Sequence, residues 1–201
     1  MTVMQLAVGG FDRNFTYLAT DGGESLLVDP TGDRGVVGRA LETLEGTGLR
    51  YILVTHGHGD HVGLLDEVSR KFPDAEICGH PGNPYARRKL ADNERLPFGA
   101  GEIEVLYTPG HSRDSVCYLA DRRALFTGDT LFMDYVGFAR KPESSLSSLR
   151  RIRKLPDTLT VYPGHDYGTV PFRTLAEEKR LNAFLNCPNL EEFQKLLKDM
   201  D

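Results

Sequence analysis

Short apolar runs of period two open the chain. Residues 5–8, 14–19 and 24–28 read as β-strands, with a hairpin turn at Asp21-Gly22-Gly23 between the second and third. Asp29-Pro30-Thr31-Gly32-Asp33 ends the third run. Over residues 34–44 the period changes. Val36, Val37, Ala40, Leu41 and Leu44 recur at helical spacing, and Gly46 and Gly48 close the helix. Residues 51–54 form a short buried strand, and residues 62–72 a helix with Leu64, Leu65 and Val68 on one face. Pro73-Asp74 stops that helix before a strand at 75–78. Strand, helix and strand in this order predict a parallel unit.

Residues 80–101 lack such regularity and carry three prolines and a basic cluster, Arg87, Arg88 and Lys89. A second β-rich block follows at 102–107, 115–119 and 124–126, then a helix at 144–155, a strand at 159–162 and two closing helices at 173–185 and 190–200. Tandem repeats and low-complexity segments are absent. Strands followed by helices, given twice, predict two sheets packed face to face with helices outside. That is a four-layer αββα arrangement of the α/β class, expected as one domain spanning residues 1–201.

Composition narrows the partners. Hydrophobic residues make up 40% and charged residues 26%, ordinary values for a globular protein. A formal charge of −5 gives no general attraction to nucleic acid or anionic lipid, so neither is expected as a partner. The apolar runs are too short for a transmembrane helix, and Met1-Thr2-Val3-Met4-Gln5 lacks the start of a secretory signal. Cys78, Cys117 and Cys187 are odd in number and show no CxxC pairing, which favours a reducing cytoplasm. Cys117 lies in an apolar run and reads as a core residue.

The chemistry begins where the run at 51–54 stops. His56-Gly57-His58-Gly59-Asp60-His61 puts three imidazoles and a carboxylate within six residues. Side chains at these four spacings cannot all face one ion from a regular strand. His56 and His58, two apart, face the same side of an extended loop and can share a metal. Asp60 and His61 fall where the loop turns toward the next helix and can face a neighbouring one. The pattern of apolar run, glycine and ligand-type residue recurs at Thr108-Pro109-Gly110-His111, Thr127-Gly128-Asp129 and Tyr162-Pro163-Gly164-His165. Five of the six histidines fall in such loops, so the loops are expected to gather at strand ends around metal. The remaining one, His80, reads as a surface or turn residue. Asp29, at a strand end, is a candidate to orient a metal-bound histidine.

HxHxDH, PGH, GDT and PGH in this order resemble the metallo-β-lactamase-fold hydrolase superfamily. Thr127-Gly128-Asp129-Thr130-Leu131-Phe132 and Tyr162-Pro163-Gly164-His165-Asp166-Tyr167 are most similar to its glyoxalase II and persulfide dioxygenase branches. The resemblance implies that His56, His58 and His111 bind one metal, that Asp60, His61 and His165 bind a second, and that Asp129 bridges them. Asp60 and Asp129 thereby take part in catalysis. Nitrogen and carboxylate ligands without thiolate suit zinc first, then iron or manganese. Two such ions about 3.5–4 Å apart share a hydroxide that attacks the substrate carbonyl.

Two reactions follow from the resemblance. The first is hydrolysis of a small-molecule thioester of the hydroxyacylglutathione kind. The long glyoxalase II enzymes carry a further C-terminal helical domain, whereas this chain runs 36 residues past His165, so the likeness is to the short forms. The second is glutathione persulfide dioxygenation at one Fe(II) held by His56, His111 and Asp129. The stretch Glu177-Glu178-Lys179-Arg180-Leu181-Asn182 resembles that branch. Val136-Gly137-Phe138-Ala139-Arg140 and Asn182-Ala183-Phe184 depart from its arginine-bearing motifs, so the hydrolase ranks first. Tyr167, Arg140 and Lys141 are candidates to contact an anionic substrate. The run Arg150-Arg151-Ile152-Arg153-Lys154 is a solvated helix end.

Overall fold

Strict alternation along most strands sends their side chains to two different cores. A computed structural model gives the fold for residues 1–9, 12–44 and 48–200. Among these, β1 (Thr2–Gly9), β2 (Asn14–Asp21), β3 (Glu24–Val28), β4 (Leu49–Leu53), β5 (Glu76–Gly79) and β6 (Arg88–Lys89) form one sheet in that order. The other sheet runs from β7 (Arg95–Phe98) through β8 (Gly101–Tyr107), β9 (Val116–Ala120), β10 (Ala124–Gly128) and β11 (Thr160–Pro163) to β12 (Arg173–Thr174). Helices α1 (Arg34–Glu42) and α2 (Leu65–Lys71) lie between strands of the first sheet. In the second, α3 (Pro142–Arg153) lies between β10 and β11, and α4 (Leu175–Leu181) and α5 (Leu190–Lys198) follow β12.

The sheets meet face to face. Phe15, Tyr17, Leu26, Val28, Tyr51 and Leu53 of the first pack on Ile103, Val105, Val116, Tyr118 and Phe126 of the second. The intervening residues point the other way. Leu18, Leu27 and Ile52 meet Val37, Leu41, Leu65 and Val68 of α1 and α2. Cys117, Leu125 and Val161 meet Leu146, Leu149, Leu175 and Phe193 of α3, α4 and α5. Strands covered on both faces must be apolar throughout, and all five residues of β9 and of β10 are buried. The expected αββα layers are present, and β3–α1–β4 and β4–α2–β5 are parallel units.

The irregular region holds two strands that its pattern hides. Each has a physical reason. β6 is a two-residue edge of charged side chains, and β7 alternates Leu96 with Phe98 around an exposed Pro97, which only an edge strand tolerates. The helix expected from Val62 starts at Leu65, because residues 59–61 form a separate 3₁₀ turn. Gly46, read as closing α1, lies outside the described residues.

The helix expected over residues 173–185 is shorter. Arg173 and Thr174 pair with β11, a capping box of Thr174 and Glu177 starts α4, and Asn182 ends it. The Asn182 amide donates to the carbonyls of Phe132 (3.3 Å) and Tyr135 (3.1 Å) and to Glu178 (2.9 Å). Glu178 is fully buried and forms an ion pair with Arg173, Oε1 to Nε at 3.2 Å, while Arg173 also donates to Asp134 at 2.9 Å. This network fixes the loop 132–135 to the body of the second sheet. Removing one partner of a buried ion pair leaves an uncompensated charge. Arg173→Leu is therefore expected to cost about 3–5 kcal/mol of unfolding free energy in urea. The double variant Arg173→Leu/Glu178→Leu should recover much of that loss, and a single variant as stable as the wild type would refute the role given to the pair.

Candidate metal centre

Five chain segments leave the sheets at one edge. Thr55 and His56 follow β4, Pro109 to His111 follow β8, Asp129 follows β10, Gly164 and His165 follow β11, and the 3₁₀ turn Gly59–His61 lies beside them. Backbone bonds tie these ends together, two of them across the sheets. Phe15 N–H donates to the Gly164 carbonyl (2.8 Å), Gly164 to Gly128 (2.9 Å) and Val116 to Thr55 (2.9 Å). Two glycines are required by proximity. A Cβ on Gly128, whose φ is +48°, would lie 2.5 Å from Thr55 Oγ1, and one on Gly164 would lie 2.5 Å from Asp129 Oδ1.

The seven side chains singled out by the motifs come together. His56, His58 and His111 form one group able to hold an ion, Asp60, His61 and His165 another, and Asp129 joins His56 and His61 in a third. His58 Nδ1 stands 3.0 Å from His56 Nε2 and 2.9 Å from His111 Nε2. In the second group His61 Nε2 is 3.2 Å from His165 Nε2, and Asp60 Oδ2 is 3.5 and 3.4 Å from the two. Asp129 reaches both groups, with Oδ2 at 3.4 Å from His111 Nε2 and 3.3 Å from His165 Nε2. His58, His111 and Asp60 are half-buried and the other four buried, so the cluster opens on one side.

The imidazole nitrogens facing away from the cluster are nearly all held. His61 Nδ1 lies 2.9 Å from Asp29 Oδ2, His165 Nδ1 2.7 Å from the Asp12 carbonyl and His111 Nδ1 3.1 Å from the Phe138 carbonyl. His56 Nδ1 meets Thr55 Oγ1 at 3.1 Å, and that hydroxyl donates to Asp29 Oδ2 at 2.6 Å. Each carbonyl or carboxylate accepts an N–H, which leaves the Nε2 lone pairs pointing inward. Asp29 thus stands behind a histidine of each group. Asn14 does similar work for Asp60, donating to its carboxylate at 3.1 Å and its carbonyl at 3.0 Å.

The charge balance fits a cation. Burial lowers the pKa of His56 and of His111. At His61 burial is outweighed by the Asp129 and Asp29 carboxylates, which raise it well above the usual imidazole value. His165 is likewise raised, against burial, by Asp129. Asp129 lies well below the carboxylate range in spite of its burial, because the imidazoles surround it. Its buried Oδ1 accepts no hydrogen bond among the described residues. Buried carboxylate oxygen and converging imidazole nitrogens are the donor set of a divalent ion.

Around the mouth, Arg140 and Lys141 line a cleft of about 510 Å³ together with His111 and Arg113. Tyr167 lies parallel to the His165 ring at 4.9 Å, with the Arg13 guanidinium over the Tyr167 ring at 5.2 Å. Burial and the neighbouring Asp12 carboxylate raise its hydroxyl pKa. His80 stands apart from the three groups, stacked on Tyr107 at 4.4 Å. Cys117 is a core residue whose thiol is pushed up to about 11 by burial. Thr55, Asn14 and Arg113 were not singled out in the sequence. Thr55 borders HxHxDH and Arg113 follows PGH, so adjacency to a motif was the available signal for those two.

The family described as the metallo-beta-lactamase superfamily matches residues 9–165. A hydroxyacylglutathione hydrolase of Francisella tularensis subsp. holarctica is 31% identical over 185 residues, 87% of this chain and 73% of that protein. The crystal structure of ETHE1 from Myxococcus xanthus superposes with a TM-score of 0.88 at 29% identity, over 100% of this chain and 92% of that one. TTHA1623, crystallised in a di-iron-bound form, is 30% identical with a TM-score of 0.73 over 92% of this chain and 100% of its own. No helix among the described residues is long and apolar enough to cross a membrane.

Loss of an outer partner of a ligating histidine typically weakens metal binding about 10–100-fold. Asp29→Ala, which removes a support from both groups, is expected to do so for metal held by either. Thr55→Val, which touches only the His56 side, should weaken metal held by the His56 group and spare the Asp60, His61 and His165 group. Competition against a chromogenic chelator measures the stoichiometry and each affinity. Affinity in the wild type should fall as pH drops through the imidazole range, since protons compete for the same nitrogens.

Proposed function

The chain belongs to the metallo-beta-lactamase superfamily, and on that premise we propose that it is a two-metal thioester hydrolase acting on acylglutathione-type substrates. One observation carries the reading. Both three-residue groups are assembled, and Asp129 lies within reach of each. Likeness to a hydroxyacylglutathione hydrolase along most of the chain supports it.

His56, His58 and His111 would hold one ion and Asp60, His61 and His165 the other, with Asp129 between them. Zinc is the first choice for this donor set. Such a pair supplies Lewis acidity toward a thioester carbonyl and makes a water molecule acidic near neutral pH. The protein's own residues fix the rest. Asp29, directly and through Thr55, keeps His61 and His56 in the tautomer that presents Nε2 to the site. Asn14 holds Asp60 in place, and Asp60 and Asp129 supply the negative charge that offsets the ions. Arg113, Arg140 and Lys141 form a cationic wall beside His111 for the carboxylates of the thiol carrier. A thiolate leaves with a pKa of roughly 8–9, so the reaction needs no dedicated proton donor.

The likeness to ETHE1 over the whole chain fits a second reading, a mononuclear Fe(II) persulfide dioxygenase using His56, His111 and Asp129. The Asp60, His61 and His165 group is assembled as well as the first, with its ligand atoms 3.2–3.5 Å apart, and that favours the hydrolase.

Metal content of protein purified without added metal, paired with turnover, separates the two. About two zinc ions per chain and release of free thiol from acylglutathiones are expected. One iron per chain with O₂ consumption on glutathione persulfide would overturn the hydrolase. His111→Ala should lower metal-dependent turnover by more than about 100-fold, as the loss of a directly coordinating group would. Arg140→Ala and Lys141→Ala should instead raise KM with little change in kcat.

A further inference from the structure

Three cations stand around the mouth beside His111, and the chain holds them differently. Arg113, Arg140 and Lys141 are exposed, line one cleft and make no ion pair among the described residues. Arg140 and Lys141 end the segment 138–141 that leads into α3, whose Phe138 and Ala139 line a neighbouring apolar cleft with Tyr167. Their backbone N–H groups make one bond each, to the carbonyls of Phe138 (3.2 Å) and Gly110 (3.1 Å). Arg113 lies instead within a loop that is closed on itself and braced from outside.

The closure comes from the backbone and the bracing from side chains. Thr108 N–H donates to the Ser115 carbonyl (3.0 Å) and Gly110 N–H to the Ser112 carbonyl (3.1 Å). The Tyr107 hydroxyl donates to the carbonyl of Arg113 itself at 2.9 Å. The Ser112 hydroxyl donates to Asp114 Oδ1 at 2.7 Å, and Asp114 Oδ2 accepts from Asn83 Nδ2 at 3.0 Å. Asn83 belongs to another loop and is 1% exposed. Its Oδ1 accepts the N–H groups of Tyr85 (2.9 Å) and Ala86 (3.2 Å), which fixes the amide with Nδ2 toward Asp114. A Cβ on Gly57 would lie 3.2 Å from Asp114 Oδ2, so the loop carrying His56 and His58 passes beside the same carboxylate. Three loops thus meet at Asp114, one residue from Arg113.

We propose that Asp114 and Asn83 are positioning residues that fix Arg113 as the contact for an anionic group of the substrate, and that Arg113 makes the site select charged thioesters over neutral ones. The assignment rests on the thioesterase reading and adds the charge of the substrate class. A long side chain loses rotamer freedom when it grips an anion, and a backbone already held in place leaves less to be ordered on binding. The guanidinium fork then meets a carboxylate in one geometry. Arg140 and Lys141 add attraction from the facing segment. A carboxylate that only buttressed the metal loops would affect every substrate alike, and that difference separates the two roles.

The zinc-loaded full chain is assayed with acetylglutathione and with S-acetyl-N-acetylcysteamine, a neutral thioester, and the ratio of the two kcat/KM values is read. Arg113→Ala is expected to lower that ratio by about ten-fold, through KM for acetylglutathione, as loss of a charge-assisted bond would. Asp114→Ala should lower it too, yet change it by less than about two-fold when added to Arg113→Ala. Asp114→Asn, which sets its amide against that of Asn83, replaces Asp114→Ala should the latter not fold. The exchange Asn83→Asp/Asp114→Asn keeps every donor opposite an acceptor and should retain the wild-type ratio. Equal loss on both thioesters in Asp114→Ala, fully additive effects, or an exchange no better than Asp114→Ala would overturn the positioning role and leave the thioesterase standing. Hydrolysis of neither thioester by the wild type would overturn the thioesterase. Calorimetric binding of S-methylglutathione then decides the anchor. The same non-additive loss across the variants supports it, affinity indifferent to Arg113→Ala overturns it, and absence of binding to the wild type overturns both.

Discussion

Asp29 is the residue on which the two halves of the centre depend. A buried carboxylate is costly unless its oxygens are satisfied, and here every partner belongs to the site. Oδ1 accepts the Thr55 amide at 2.8 Å, and Oδ2 accepts the Thr55 hydroxyl at 2.6 Å and His61 Nδ1 at 2.9 Å. The backbone is turned to suit, with φ at +49°, a conformation few residues other than glycine, asparagine and aspartate adopt readily. Parallel pairing of β3 with β4 is what sets Asp29 beside Thr55 and His56. The register of one strand pair thus becomes the orientation of two imidazoles.

Coupling of this kind explains why the site lies where the sheets are stitched together. Each sheet alone contributes part of the donor set: His56, His58, Asp60 and His61 follow the first, and His111, Asp129 and His165 the second. Bonds from Phe15 to Gly164 and from Val116 to Thr55 cross the join and set the distance between the halves. Glycine at 128 and 164 lets backbone approach where any side chain would push Thr55 or Asp129 away. Further out, the Arg173–Glu178–Asn182 network holds the loop 132–135, from which the chain runs on to the Phe138 carbonyl behind His111. Packing remote from the metal thereby reaches an imidazole through one stretch of chain.

The sequence made the inner site legible because its donors are side chains at fixed local spacing after apolar runs. His56 to His61, His111, Asp129 and His165 were all readable for that reason. Asp29 was readable too, as a carboxylate at a strand end. What escaped was whatever depends on backbone or on distant packing. The carbonyls of Asp12 and Phe138 that orient His165 and His111 belong to no residue type, and Asn14 looks like any strand opening. β6 escaped because it is two charged residues long, and β7 because Pro97 interrupts its short alternation. Asn182 was read as helix interior, since nothing local reveals that its amide is drawn to the Phe132 and Tyr135 carbonyls.

The same contrast bears on the reaction. A donor set of histidine and carboxylate is common to a hydrolytic centre and to an iron oxygenase centre, so the inner ligands alone do not select between them. Selection falls to two features outside the motifs. One is how completely the second group is built: Asp60 is held by Asn14, and His165 by both the Asp12 carbonyl and the Tyr167 ring. On the proposed two-metal reading, that support is what a second ion would require. The other is the mouth, where cationic and apolar walls meet at residues 138–141 above His111. Both walls lie beside the open face formed by His58, His111 and Asp60, where the substrate is proposed to lie.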